Sequence, residues 1–331
     1  MRFLFNIFLL ALVLLAGMAG GVWWWANRPL PMHSSPIDFR VNAGSSLRTA
    51  ITQMREAGLE VDPLPLVMLA RFNGSDTAIK AGSYSVNAGV TPLLLLDKLL
   101  KGKVTQGELV LVDGWTFSQW RARMDSHPDL RHELRGLSEA EIGRRMGLGT
   151  SSLEGLFFPD TYFFDKQSSD LELLARANRA MQRKLDREWT RRAEGLPYKT
   201  PRDALIMASI VEKETGREAD RNLVAAVFVN RLRKGMMLQT DPTVIYGLGE
   251  SFDGRLRRSD LLADTPYNTY TRYGLPPTPI AMPGLASLRA ALNPAVSEVL
   301  YFVARGDGSS QFSNTLDEHN SAVKRYQRGG K

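Results

Sequence analysis

The stretch "MASIVEKETG", Met207 to Gly216, places two glutamates, Glu212 and Glu214, at the end of an apolar run of helical character. Removing a carboxyl from water disfavours its charged form and raises its pKa, which is what a general acid working near neutral pH needs. Residues two apart on a helix point about 200° away from each other, so the two cannot share one site if the helix continues through both. Glu214 lies over Met207, Ile210 and Val211, and Glu212 over Leu205, Ala208 and Ser209. Both have apolar neighbours one turn back, so periodicity does not choose between them. Lys213, Arg217 and Arg221 are available as ion-pair partners to either.

Two loops downstream concentrate groups that bind sugars. "LQTDPTVIYGLG" (Leu238 to Gly249) and "PYNTYTRYGLPPTPIAMPG" (Pro266 to Gly284) gather Tyr, Asn, Thr, Gln and Asp between stiffening prolines and permissive glycines. Aromatic faces pack on sugar rings and amides bond their hydroxyls. The candidate substrate-binding residues are Gln239, Thr240, Asp241, Tyr246, Tyr267, Asn268 and Tyr270. Structural readings compete with this: Asp241-Pro242 as a helix cap followed by proline, and "GLPPTPIAMPG" as a structural loop.

The elements that must hold these residues are legible from their punctuation. Asp203 or Thr200 can cap a helix through "ALIMASIV", which is apolar on every side and belongs inside the protein, with Gly216 as its stop. Before it, "RANRAMQRKLDREWTRR" (Arg176 to Arg192) carries Ala177, Met181, Leu185 and Trp189 at helical spacing, a packed stripe under a charged face. That face reads as solvated, with an anionic lipid or polymer as the alternative; no motif points to nucleic acid. Towards the end, "VLYFVARGDGSSQFS" reads as a hairpin about a Gly-Asp-Gly turn.

Nearer the start a strand, turn and helix pattern recurs: "FRVNAGSSLRTAITQMREAG" at Phe39 to Gly58, "YSVNAGVTPLLLLDKLLKGK" at Tyr84 to Lys103, and a weaker copy at Leu109 to Met124. Ser46, Thr91 and Thr116 fall at the N-caps, Pro92 takes a first helical position, and "PLPLVMLARFNG" supplies a further helix between copies. The two fuller copies resemble a LysM-like glycan-binding module, although a purely structural unit explains the same pattern. The fold class expected is mixed α+β.

Composition narrows the function classes. A chain of 331 residues with no cysteine has no disulfide, thiolate zinc site or cysteine nucleophile. His33, His127, His132 and His319 lack metal-ligand spacing and read as solvated surface residues, so neither a metal nor a cofactor is expected. Phe3 to Ala26 is a nearly unbroken apolar run ending in Trp23, Trp24 and Trp25, long enough to cross a bilayer core of about 30 Å. Ala16 to Gly21 would suit a signal peptidase, but the run continues past it, so an uncleaved single-pass anchor with a short cytoplasmic tip is expected. The organisation that follows is 1–28 tip and anchor, 29–37 an extended stalk, 38–110 the LysM-like module and 111–331 a mixed α+β catalytic domain. A soluble chain starting near Ser34 is expected to fold and keep its activity.

The order of "EGLFFPDTY", "MASIVEKET", "VFVNRLRKGMMLQTDPTVIYGLG", "YNTYTRYGLPPTPIAMPG" and "LYFVARGDG" resembles the YceG-like (MltG) family of membrane-anchored endolytic peptidoglycan transglycosylases. The resemblance covers nearly the whole chain after the anchor. It implies cleavage of peptidoglycan strands between N-acetylmuramic acid and N-acetylglucosamine from the periplasmic face of the inner membrane. In that family the second glutamate of the "EKET" motif is catalytic, which falls on Glu214. Peptidoglycan synthases at the same membrane are the partners implied.

Glycoside hydrolysis ordinarily uses two carboxyl groups. A lytic transglycosylase instead uses the muramyl C6 hydroxyl as internal nucleophile and leaves a 1,6-anhydro end, so one acid can suffice. A well-placed internal nucleophile has an effective concentration of about 10⁵ M or more. Two rivals remain: a hydrolase with Asp241 as second carboxylate, and a wall-binding scaffold without activity.

Overall fold

The structure is a computed structural model describing residues 2–32, 35–42, 44–72, 79–102, 104 and 106–328. His33 and Ser34 lie outside the described residues. In chain order the elements are α1 (Arg2–Ala26), β1 (Ile37–Val41), α2 (Leu47–Glu56), α3 (Pro63–Phe72), β2 (Gly82–Val86), α4 (Pro92–Lys101), β3 (Gln106–Leu111), α5 (Phe117–Asp125), β4 (Leu130–Arg131), α6 (Glu139–Arg145), β5 (Asp160–Asp165), β6 (Ser168–Ser169), α7 (Asp170–Thr190), α8 (Pro201–Glu214), α9 (Glu218–Arg233), α10 (Asp241–Leu248), α11 (Arg258–Leu262), α12 (Leu285–Leu292), β7 (Tyr301–Ala304), β8 (Ser310–Ser313) and α13 (Leu316–Val323). Helices and short strands intermix, the α+β class expected. The chain divides into two compact units: Met1–Glu108 with Asp129–Arg131 and Phe163–Ser168, and Leu109–Pro128 with His132–Tyr162 and Ser169–Lys331.

In the first unit β1 and β2 pair antiparallel with Phe39 opposite Tyr84, and the two rings stack at 5.6 Å between centroids. Ser46 and Thr91 cap α2 and α4 by accepting the N–H groups of Thr49 and Leu94, and Pro92 opens α4. These helices bury Ile51, Met54, Leu95 and Leu99 against the strands. The segment read as a stalk contributes to the same core: Leu30 is buried and its N–H bonds the carbonyl of Val90, while Met32 bridges to Leu59. Ala26, at the end of α1, is buried there too. Among the described residues no helix is long and apolar enough to cross a membrane; of α1, the side chains of residues 2–8, 11, 15, 18 and 19 lie outside the described set.

The second unit is organised around α8. Thr200 is its N-cap, accepting the N–H of Asp203, and Asp203 accepts the N–H of Thr200 in return, so both residues proposed for the cap take part. Every side chain from Ala204 to Val211 is buried, packed with Phe228 of α9 and Leu288 of α12. Ala177 and Met181 of the basic helix α7 are buried, and Leu185 and Trp189 pack on the same core. The expected hairpin forms with Tyr301 opposite Ser313 and Ala304 opposite Ser310. One expectation is corrected: α8 does not stop on Gly216. The chain leaves the helix at Thr215, whose backbone is extended (φ −147°, ψ 127°) and whose hydroxyl accepts the N–H of Arg217.

Glu154, in the "EGLFFPDTY" segment, ties two helices of this unit together. It is 4% exposed, and its carboxyl accepts the N–H of Phe117 at the start of α5 (3.1 Å) and the hydroxyl of Tyr246 on α10 (3.2 Å). Gly155 beside it has φ 79°, and a Cβ there would meet the Pro279 ring at 2.5 Å, so only glycine lets the chain pass. Burial pushes the Glu154 pKa up to about 7, partly offset by the bonds from Phe117 and Tyr246, with Glu139 adding to the rise.

A carboxyl raised in the folded state contributes stability that is full below its unfolded pKa and lost as pH climbs through the folded one. Wild-type unfolding free energy should therefore fall between about pH 4.5 and about pH 7 relative to Glu154→Gln, by about 3 kcal/mol. Urea denaturation of both proteins across that range checks this; parallel pH profiles would contradict it.

Candidate active site

Both glutamates of the quoted stretch are helical, Glu214 being the last residue of α8, and they diverge as the 200° geometry requires. Glu212 is partly buried, and its Oε2 accepts the N–H of Gly284 at 2.9 Å, which ties it to the start of α12. Glu214 turns the other way and lines a cavity of about 590 Å³ with Arg231, Gln239, Asp241, Tyr270 and His319.

The Glu214 Oε1 accepts a hydrogen bond from the hydroxyl of Thr240. Burial raises its pKa; the Thr240 bond works against the rise and the Asp241 carboxylate adds to it. Among the described residues no lysine or arginine forms an ion pair with it. Lys213, its sequence neighbour, instead donates to the carbonyl of Gly114 at 3.2 Å.

Thr240 is held by its own network. It is buried, its N–H bonds Thr269 Oγ1 at 3.0 Å, and its carbonyl accepts the hydroxyl of Thr243 at 2.8 Å. Gln239 adopts a left-handed backbone (φ 52°), held by its N–H to the carbonyl of Thr269 and by Arg231 Nη1 at its side-chain oxygen. Strain of that kind persists only where surrounding contacts fix it. Thr240, rather than Asp241, is the N-cap of α10, and it makes no side-chain cap bond; Asp241 and Pro242 open the first turn. Asp241 is exposed and accepts the Tyr270 hydroxyl at 2.5 Å, and burial together with that bond raises the Tyr270 pKa.

Of the seven candidate binding residues, Gln239, Asp241 and Tyr270 line the cavity and Thr240 touches Glu214 from behind. The other three are placed differently. Asn268 is fully buried, and its amide donates to the carbonyls of Asp260, Leu261 and Ala263 while its oxygen accepts the N–H of Tyr270, so it shapes the loop from within. Tyr267 bonds Thr278 at 2.8 Å and packs edge-on against Tyr246. Tyr246 lines a separate cavity with Glu154.

Arg231 and His319 also line this cavity and were not among the candidates read from the sequence. Arg231 is 8% exposed, bonds the carbonyls of Leu300 and Leu238, and lies over the Tyr301 ring at 5.1 Å. Its place after the apolar run Val224 to Val229 was the available signal of burial. His319 is corrected from a solvated surface residue: it is partly buried, stacks on Tyr301 at 5.2 Å, and burial and Arg231 lower its pKa. His132 is also partly buried, with Asp125 and Asp170 close enough for their ligand atoms to lie within 4.8 Å of one another. The Asp170 carboxylate is, however, committed to the N–H groups of Glu133, Leu134 and Leu171.

The profile of the YceG-like family matches residues 39–325. The endolytic murein transglycosylase of Bacillus subtilis is 30% identical over 308 residues, covering 88% of this chain and 84% of that protein. The endolytic murein transglycosylase of Streptococcus pneumoniae is 27% identical over 96% of this chain, which spans 64% of that longer protein. The crystal structure of a YceG-like protein from Listeria monocytogenes is similar, with a TM-score of 0.56 and 32% identity over 87% of this chain and 99% of that one. With the family profile covering most of its length, the chain belongs to the YceG-like family.

Proposed function

We propose that the chain is an endolytic lytic transglycosylase, a lyase that cuts peptidoglycan strands between N-acetylmuramic acid and N-acetylglucosamine and leaves 1,6-anhydro ends. The observation that carries the reading is the Glu214 carboxyl, half-buried at the end of α8, facing a ligand-sized cavity and raised in pKa by burial. Protonated Glu214 gives its proton to the glycosidic oxygen as the bond breaks. As carboxylate it then takes the proton of the muramyl C6 hydroxyl, whose oxygen closes on C1 and returns the acid to its starting state. Asp241, Tyr270 and Gln239 lie where they can face the positive charge that develops on the ring. Asp241 in the same cavity also keeps a two-carboxylate hydrolase as the alternative. Its products would carry reducing ends, heavier by one water.

An inner-membrane anchor formed by α1, whose 25 residues extend roughly 37 Å, would hold the catalytic unit beside newly made strands on the periplasmic side. The strand, helix, helix, strand order of β1, α2, α3 and β2 supports a LysM-like glycan-binding role for the first unit. Peptidoglycan synthases at that membrane are the protein partners proposed.

Glu214→Gln should lower the rate of glycan cleavage by about 10²–10⁴-fold, while Glu212→Gln, which disturbs only a tie to Gly284, should cost far less. Mass analysis of digests by the two proteins decides it, and equal losses would defeat the assignment. The acid must begin protonated, so kcat should decline as pH rises through the raised Glu214 pKa. Thr240→Val removes the bond that favours the carboxylate, and the alkaline limb should move to higher pH; a limb that stays put or moves down would exclude Glu214 as its source. A chain begun at Val22 keeps Ala26 and Leu30 in the core, which a start near Ser34 would remove. It should fold, leave the membrane fraction and still cut purified glycan; loss of cleavage in a folded protein would assign α1 more than placement.

A further inference from the structure

The second unit holds another cavity, of about 690 Å³, that the proposed reaction does not use. Two pairs of consecutive residues connect it with the Glu214 cavity. Lys213 lines it and Glu214 lines the other; Pro242 lines it and Asp241 lines the other. Consecutive residues on a helix point about 100° apart, so the end of α8 and the first turn of α10 form the partition, each with one side chain on either side. A polymer laid over that partition reaches both cavities.

The lining suits an uncharged, many-hydroxyl ligand. Pro242, Ile245 and Tyr246 offer apolar surface for sugar C–H faces, and Ser118, Gln119 and Glu250 offer an alcohol, an amide and a carboxylate for hydroxyls. Lys213 shares the lining with Glu139 and Glu250, so carboxylates outnumber cations there, which favours an uncharged N-acetylglucosamine unit over the lactyl carboxylate of a muramyl unit. Glu154, 4% exposed and bonded by Tyr246, anchors this wall to α5. With its pKa near 7 it places no full negative charge there at neutral pH.

We propose that this cavity binds a saccharide unit of the same glycan strand whose scissile bond lies at Glu214, making it a remote subsite that favours cutting inside long strands over short oligomers. The inference rests on the proposed function and adds to it where the uncut polymer lies. An enzyme that cuts in the interior of a chain must accommodate chain on both sides of the cut, and binding far from the reacting atoms is what separates long from short substrates.

The test uses the full-length chain carrying Glu214→Gln, which binds without cutting, and two probes: long glycan strands stripped of peptide by an amidase, and a tetrasaccharide from the same material. Ser118 is exposed on the first turn of α5, and Ser118→Trp fills the cavity from its rim. It should weaken strand binding by at least about tenfold while leaving tetrasaccharide binding within about twofold. Glu250→Ala, also exposed on the lining, should weaken strand binding in the same direction and serves if the tryptophan variant fails to fold. Unchanged strand affinity in the folded variants would overturn the subsite, as would an equal loss for both probes. Wild-type digests separate this from the reaction itself: anhydro ends with unaltered strand binding would sink the subsite alone, whereas reducing ends with lost strand binding would leave the subsite and remove the transglycosylase.

Discussion

A carboxyl group withdrawn from water without a cation to compensate it is the constraint on which the site depends. An ammonium about 4 Å away at an effective dielectric of about 20 would favour the ionised form by about 4 kcal/mol, close to three pKa units. One such partner would work against what burial does to Glu214. Lys213 adjoins it in sequence but reaches the carbonyl of Gly114, and Arg231, in the same cavity, spends its Nε and Nη1 hydrogens on the carbonyls of Leu300 and Leu238. The only hydrogen bond to Glu214 among the described residues comes from a neutral hydroxyl, which steadies the carboxyl while leaving its charge uncompensated.

The fold supports this arrangement by making α8 apolar on all sides and ending it abruptly. Because Ala204 to Val211 are all buried, the helix cannot rotate to offer its last residue to solvent without exposing core. Opposite it, Thr240, Thr243 and Thr269 bond one another in a short chain of hydroxyl and backbone groups. Asn268 closes the loop behind them with three donated bonds. Position is thus set by packing on one side and by hydrogen bonds on the other. That division suits the role proposed for Glu214, giving up a proton and regaining one without moving.

Much of the framework could be read from local chemistry. Ser46, Thr91, Thr116 and Thr200 act as N-caps because a short side-chain oxygen at the entry to an apolar helix has few better uses. The opposite facing of Glu212 and Glu214 follows from helical pitch alone, whereas the choice between them needed the family motif. What escaped the sequence was long-range. Glu154 meets Phe117 and Tyr246 across 37 and 92 residues of chain, and His319 reaches the cavity by stacking on a strand of the neighbouring hairpin. Asn268 looked like a sugar ligand because amides serve both sugars and loops, and only its burial tells the two apart. Leu30 was hidden by the prolines on either side, which suggested an exposed linker where the chain in fact enters the first core.

The central claim is that one half-buried acid works with the sugar's own hydroxyl, so that no water enters the reaction. Digestion of purified glycan strands in water enriched in heavy oxygen, followed by mass spectrometry of the new muramyl ends, reads this directly. The account predicts ends without the isotope; heavy oxygen at the muramyl C1 would contradict it and identify a water-using hydrolase.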